Sequence, residues 1–220
     1  MDNKPYEVQL PELSISIDKN MHIGNYNEVI KLCDRFLILK PDDKLAYLNK
    51  GQAYWKIGEY DKSILCYDEA INWDSNYFKA YLNRGVSYMY KSSHYNNTKE
   101  DNLKIKFANC AISDFNHFIN NCNNNKDKAI ALTNRAQVYM LLKDYNKAED
   151  DFLEAINNYS DYKVAIHGIG HLYQQIYKYS LKDDDFSKAK NSLEDFLEKF
   201  PDENIPLFNL SYLYYYKESN

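Results

Sequence analysis

Tyr47-Leu48-Asn49-Lys50-Gly51-Gln52-Ala53-Tyr54 recurs downstream as Tyr81-Leu82-Asn83-Arg84-Gly85-Val86-Ser87-Tyr88. The block returns as Leu132-Thr133-Asn134-Arg135-Ala136-Gln137-Val138-Tyr139, and again as Ile166-His167-Gly168-Ile169-Gly170-His171-Leu172-Tyr173. The first step and the third are equal, at about 34 residues each. The second is one and a half times as long. A last half-copy, Leu207-Phe208-Asn209-Leu210-Ser211-Tyr212-Leu213-Tyr214, follows after a slightly lengthened step. Self-similarity at a fixed period decides a fold before any local propensity does.

A second block recurs in the same register. Gly24-Asn25-Tyr26 is followed by Val29, Cys33, Phe36 and Pro41, and Gly58-Glu59-Tyr60 by Ser63, Tyr67, Ala70 and Ser75. Asp144-Tyr145 leads to Ala148, Phe152 and Ala155; Asp185-Phe186 leads to Ala189, Leu193, Phe196 and Pro201. Apolar residues fall at helical spacing in each half, as at Ile64, Tyr67, Ala70 and Ile71. Each period therefore holds two amphipathic helices. One such pair cannot bury its apolar face alone, but stacked pairs can. Gly51, Gly85, Ala136 and Gly170 are small enough for two helices to approach closely, with Tyr54, Tyr88, Tyr139 and Tyr173 expected to fill the space beside them.

The pattern resembles the tetratricopeptide repeat (TPR), whose period is the same, about 34 residues. The resemblance runs from about Leu10 to Lys217. It implies an all-α fold, a right-handed α-solenoid of antiparallel helix pairs (the TPR superhelix). The expected organisation is a flexible N-terminus over 1–9 and a single array over 10–217. Repeats fall at 10–43, 44–77, 78–128, 129–162 and 163–203, with a terminal helix at 204–217. The array departs from the family pattern in places. Only Pro41 and Pro201 keep the closing proline, and Ile17 stands where the first repeat needs a small residue. Against the regular period, about 14 residues are inserted over Lys91–Ile105 and about seven near Tyr177–Asp184. Both insertions fall in the turn inside a repeat; the first is polar and reads as a solvated loop or a helical extension, and both as a partner-touching surface or as harmless drift.

Composition agrees with a folded globular chain: 220 residues, 45% hydrophobic, 27% charged, with too few Gly (six) and Pro (five) for a turn-rich β fold. Net charge is −5 and no basic block stands out, which argues against a nucleic-acid partner. No stretch approaches the roughly 20 apolar residues that span a membrane. Met1–Leu10 lacks a signal-peptide core. The reading is a cytoplasmic protein without membrane association. Cys33, Cys66, Cys110 and Cys122 have no C-x-x-C or zinc spacing and are read as reduced thiols inside helices. Sequons at Asn96, Asn158 and Asn209 are attributed to chance. No Ser-His-Asp order, Gly-rich phosphate loop or paired-carboxylate motif is present, so neither an enzyme nor a cofactor is expected.

The resemblance implies a function: the first helix of each repeat lines a concave groove that holds an extended peptide. Mapped here, the groove draws on Leu48, Asn49, Gln52 and Trp55, then Lys79, Leu82, Asn83, Val86, Met89 and Tyr90. Further along it draws on Thr133, Asn134, Gln137 and Met140, on Val164, His167, His171 and Gln174, and on Phe208, Asn209, Tyr212 and Tyr215. Asn49, Asn83, Asn134 and Asn209 share one repeat position. They form either an amide ladder for a peptide backbone or a set of local hydrogen-bonding residues. A carboxylate clamp for a C-terminal peptide is judged absent. Asn49, Asn83 and Lys79 match it, but Ser14, Asp18, Ile130 and Asn134 stand where other clamp residues belong. His167 and His171 share one helical face, a metal or pH reading set against two groove-lining polar residues. Asp183-Asp184-Asp185 reads as an exposed turn with a helix N-cap, and Glu149-Asp150-Asp151 as a solvated helix face.

The last helix lacks the polar face of a solenoid cap. Its aromatic surplus points to self-association or partner docking through residues 207–216. The expected function is a non-enzymatic scaffold binding a peptide or protein. The alternative is a regulatory or sensory subunit that dimerises or binds a small effector to control an enzyme or transcription factor.

Overall fold

The computed structural model describes residues 6–95 and 100–219. Residues 1–5 of the expected flexible N-terminus, and 96–99 of the first insertion with its Asn96 sequon, lie outside them. The described residues form eleven α-helices and no strand. The helices are α1 (Tyr6–His22), α2 (Tyr26–Leu39), α3 (Lys44–Lys56), α4 (Tyr60–Trp73), α5 (Phe78–His94), α6 (Asp101–Asn121), α7 (Asn125–Leu141), α8 (Tyr145–Asn158), α9 (Lys163–Ser180), α10 (Asp183–Lys199) and α11 (Asn204–Glu218). They divide into two compact units, residues 1–121 and 122–220. The first unit stacks the pairs α1/α2, α3/α4 and α5/α6. The second stacks α7/α8 and α9/α10 and adds α11. Helix α1 starts ahead of the expected Leu10. Helix α7 starts at Asn125, inside the stretch assigned to the third repeat.

The turn inside each pair is chemically repetitive. Gly24 and Gly58 sit at φ 75° and 82°, and Lys143 takes φ 63° at the same register position. In all three turns the next amide reaches back into the preceding helix: Asn25 to the Asn20 carbonyl, Glu59 to Tyr54 and Asp144 to Tyr139, each at 2.9 Å. These are Schellman closures, which favour glycine at the left-handed residue. Between pairs, Asp43 and Asn124 cap α3 and α7 by accepting from the Ala46 and Asp127 amides at 2.9 Å. Asp183, Asp184 and Asp185 instead occupy the first turn of α10, with Lys182 at the cap. There they complement the helix dipole.

The core rests on one contact repeated along the chain. One helical turn after the small residue of α4, α6, α8 and α10 comes a bulky one, Tyr67, Phe115, Phe152 and Leu193 in turn, all fully buried. A Cβ built on Gly51 would lie 2.5 Å from the Tyr67 ring, on Gly85 2.8 Å from Phe115, and on Gly170 2.9 Å from Leu193. Gly168 meets Phe152 of the preceding pair at 2.3 Å. The space beside the small residues is thus filled from the paired helix. Tyr54, Tyr139 and Tyr173 lie instead beneath lysines, Lys62, Lys147 and Lys188 at 5.6, 5.4 and 6.0 Å. Tyr88 stacks on Phe107.

The insertions lengthen helices. Around the first, Ser92 is buried and its hydroxyl donates to the Lys104 carbonyl at 2.8 Å, while Lys91 lies 4.2 Å over the Phe107 ring. Around the second, α9 and α10 extend to bring Tyr177 and Phe186 together edge-on at 5.4 Å. Leu181 turns the chain between them at φ 54°.

Two substitutions test this geometry. Gly85→Ala gains helix propensity of about 1 kcal/mol but overpacks against Phe115. The net loss should be about 1–3 kcal/mol by thermal or denaturant unfolding, relieved in Gly85→Ala/Phe115→Leu. Lys143→Gly removes left-handed strain of about 1 kcal/mol and should raise Tm by about 2–4 °C.

Candidate functional site

In the first unit the expected groove residues converge on a cleft of about 350 Å³. It is lined by Met21 of α1, by Gln52, Trp55 and Lys56 of α3, by Tyr67 of α4, and by Asn83 and Val86 of α5. The helical period turns Gln52 and Trp55 to one side of α3, and Asn83 and Val86 to one side of α5. Trp55 packs edge-on against Tyr90 at 5.4 Å, and Tyr90 stacks on Tyr60 at 5.7 Å. The Lys56 ammonium lies 4.8 Å over the Trp55 ring. The Trp55 indole N–H is buried without a hydrogen-bond partner among the described residues. An apolar floor with two amides and an ammonium at its rim suits an uncharged or mildly acidic extended chain.

Other expected positions fall elsewhere. Leu48 is buried in the core with Tyr67, Ala70 and Ala80. Thr133 is buried too, and its hydroxyl has no partner among the described residues. Gln174 is buried as well and donates to the Asn209 carbonyl at 3.0 Å. These three belong to the packing, because first-helix residues turn inward wherever a neighbouring helix crosses them. Asn49 and Asn134 are half-buried, Lys79 and Gln137 are exposed, and none of the four lines the cleft. The Asn209 amide meets His167 Nε2 at 3.1 Å, and His171 Nε2 lies 3.2 Å from the Gln175 amide. The two histidines are thus committed to local hydrogen bonds. Burial pushes both imidazoles below their usual range, so they are neutral at pH 7. Among the described residues no group of three His, Cys, Asp or Glu could hold a metal. Tyr212 is exposed on α11.

The pattern hid a recurring ion pair, with a buried carboxylate at Asp114 and Asp151 and an exposed one at Asp34. Lys50, Arg84 and Arg135 share one repeat position, immediately before the small residue. Lys50 pairs with Asp34 of α2 at 2.6 Å. Arg84 grips Asp114 of α6 with two bonds, 2.9 and 2.7 Å, and reaches Asp68 of α4 at 2.6 Å. Arg135 holds Asp151 of α8 in the same two-pronged way, at 2.8 and 2.6 Å. Asp151 is therefore buried, not part of a solvated face, and its neighbour Glu149 accepts from the Tyr173 hydroxyl at 2.6 Å. The signal was a cation with an aspartate at a fixed distance along the chain, on the preceding helix for Arg84 and Asp68 and on the paired helix for Arg135 and Asp151. Burial raises the Asp114 carboxyl against the pull of Arg84. Paired in two bonds with a guanidinium that stays protonated, it remains ionised at neutral pH.

A second cleft, also about 350 Å³, lies at the edge between pairs and is lined by Lys40, Asp43, Lys44, Leu45, Trp73 and Asp74 among others. Its lysines are committed, Lys40 to Asp43 at 2.9 Å and Lys44 to Asp74. The cysteines are all free. Burial pushes the Cys33 thiol up to about 12 and Cys66 to about 11, so neither is a thiolate at neutral pH. Cys122 lies between α6 and α7, outside any helix. Asn158 is the last residue of α8 and Asn209 lies within α11, with their amides bonded to the Glu154 carbonyl and to His167.

Family models place the pattern. The one described as TPR repeat matches residues 56–91, and the one described as Tetratricopeptide repeat matches 124–162. Over these two stretches the chain carries tetratricopeptide repeats. Mouse tetratricopeptide repeat protein 12 is 33% identical over 86 residues, 39% of this TPR chain, which spans only 12% of that relative. Among solved structures, a tetratricopeptide repeat protein from Parabacteroides merdae superposes with TM-score 0.73 at 15% identity, covering 96% of this chain and 75% of that one. YrrB, described as a TPR protein with an unusual peptide-binding site, superposes with TM-score 0.61 at 14% identity over 87% of each chain. At such identity these likenesses show the fold. Among the described residues no helix is long and apolar enough to cross a membrane.

The ion pair can be tested at Arg84. Arg84→Met strands the buried Asp114 carboxylate and should cost about 3–5 kcal/mol in urea unfolding at pH 7. Arg84→Met/Asp114→Leu should recover most of it. In the single variant the carboxyl's folded pKa stands above its unfolded value. The loss should therefore shrink as pH falls through that pKa, the reverse of ordinary acid denaturation.

Proposed function

We propose that this TPR protein is a non-enzymatic scaffold that holds an extended peptide or protein segment in the groove of its first helices, with the cleft around Trp55 as its anchor point. The observation that carries the reading is the convergence of Gln52, Trp55, Asn83 and Val86, from two successive first helices, on one open cleft. Trp55 and Val86 supply the apolar contact. Gln52 and Asn83 carry amides that both donate and accept, which matches a peptide backbone whatever its side chains. The peptide-binding site for which YrrB is described agrees with this use of the fold.

Panning a random peptide library against the chain, then titrating enriched peptides by calorimetry, tests the proposal. Affinities near micromolar are expected. Asn83→Ala should weaken binding about tenfold, and Trp55→Ala by about 2 kcal/mol or more, with helicity unchanged. Peptides that bind a Gln52→Ala/Trp55→Ala/Asn83→Ala variant as tightly as the parent would show that the cleft is not the site.

A further inference from the structure

Helix α11 stands in the register of a first helix. Its Ser211 occupies the position of Gly51, Gly85 and Gly170. At each of those glycines a bulky side chain of the paired second helix fills the space: Tyr67, Phe115 and Leu193. At Ser211 that face is open. Phe208 is 70% exposed, Tyr215 68%, Leu207 53% and Tyr212 41%. The opposite side of α11 is occupied, with Leu213 buried against Tyr177, Phe186, Ala189 and Leu193. An apolar face of this kind, in the register where every preceding first helix receives a partner, is a half-completed helix pair.

We infer that the open face of α11 pairs antiparallel with the α11 of a second copy of this chain. The face is self-complementary. A two-fold axis between residues 211 and 212 sets Phe208 opposite the second copy's Tyr215, and Ser211 opposite its Tyr212. The small-against-large arrangement of the internal pairs is thereby reproduced. No charged residue lies between Pro206 and Tyr216, so two copies meet there without like-charge repulsion despite the net charge of −5. Antiparallel pairing also sets the helix dipoles head to tail. Fifteen residues give a face about 22 Å long and about 10 Å wide. That is small for a specific interface and sets a weak, concentration-dependent dimer.

Sedimentation equilibrium of the full chain from about 1 to 500 μM tests the pairing. A monomer–dimer equilibrium with Kd on the order of 10 μM is expected. Phe208→Glu/Tyr215→Glu, both on exposed positions, should raise Kd about 100-fold with circular dichroism and Tm unchanged. The register has its own readout. Ser211→Cys should form a covalent dimer on mild oxidation, and Phe208→Cys should cross-link only when mixed with Tyr215→Cys. A chain that stays monomeric throughout overturns the inference, as does a dimer indifferent to the two glutamates. A dimer that the Ser211→Cys variant does not capture covalently overturns the antiparallel register. A chain that remains monomeric yet binds a synthetic peptide of residues 183–199 at this face overturns the second copy as its occupant.

Discussion

The distance between the two helices of a pair depends on a residue with no side chain facing a ring. Gly51 under Tyr67 and Gly85 under Phe115 leave less than 3.0 Å for a Cβ. At that separation the ring lies directly against the backbone of the facing helix in both pairs. Dense packing at one point leaves no room for sliding. The contact therefore also sets the register of each helix against its partner, and with it which residues of α3 and α5 face outward into the cleft.

Charge reinforces the same joints. The cation before the small residue lies beside the close approach, and its aspartate comes from the helix across it. Arg84 ties three helices, α4, α5 and α6, at one point. Such pairs add little net stability, because desolvation offsets most of the attraction. What they add is geometry: a forked guanidinium donates to a carboxylate in very few orientations. Packing sets how close the helices lie, and the ion pairs set how they are rotated.

Much of this was legible in the residues. The period, the helix pairing and the small positions all recur in register, and a repeated unit repeats its environment. Gln52, Trp55, Asn83 and Val86 line one cleft for that reason. Leu48, Thr133 and Gln174 were misplaced because register fixes a residue's position along a helix but not which neighbour crosses there. Asp151 was misread because a run of three acidic residues looks solvated. Only its partner Arg135, on the paired helix α7, shows that one of the three turns inward. The first insertion, being polar, left a solvated loop and a helical extension equally open. Among the described residues the helical extension holds, because Phe107 beside Lys91 and Tyr177 beside Phe186 give the lengthened helices an interior of their own.

The insertion shared by α9 and α10 has a mechanical result. Its Tyr177 and Phe186 project past the ordinary length of a pair and make a ledge. There Tyr216 packs edge-on against Tyr177, Tyr214 packs against Phe186, and Lys217 sits 3.9 Å over the Phe186 ring. A helix packed on one side only is the readiest to unzip. The ledge grips α11 along a second surface, near its C-terminus, while Gln174 and His167 hold it near its start. Clamped at both ends, α11 resists peeling from either direction. A pull on its C-terminal end is carried into α9 and α10 together, so the insertion serves as a strain relief for the terminal helix.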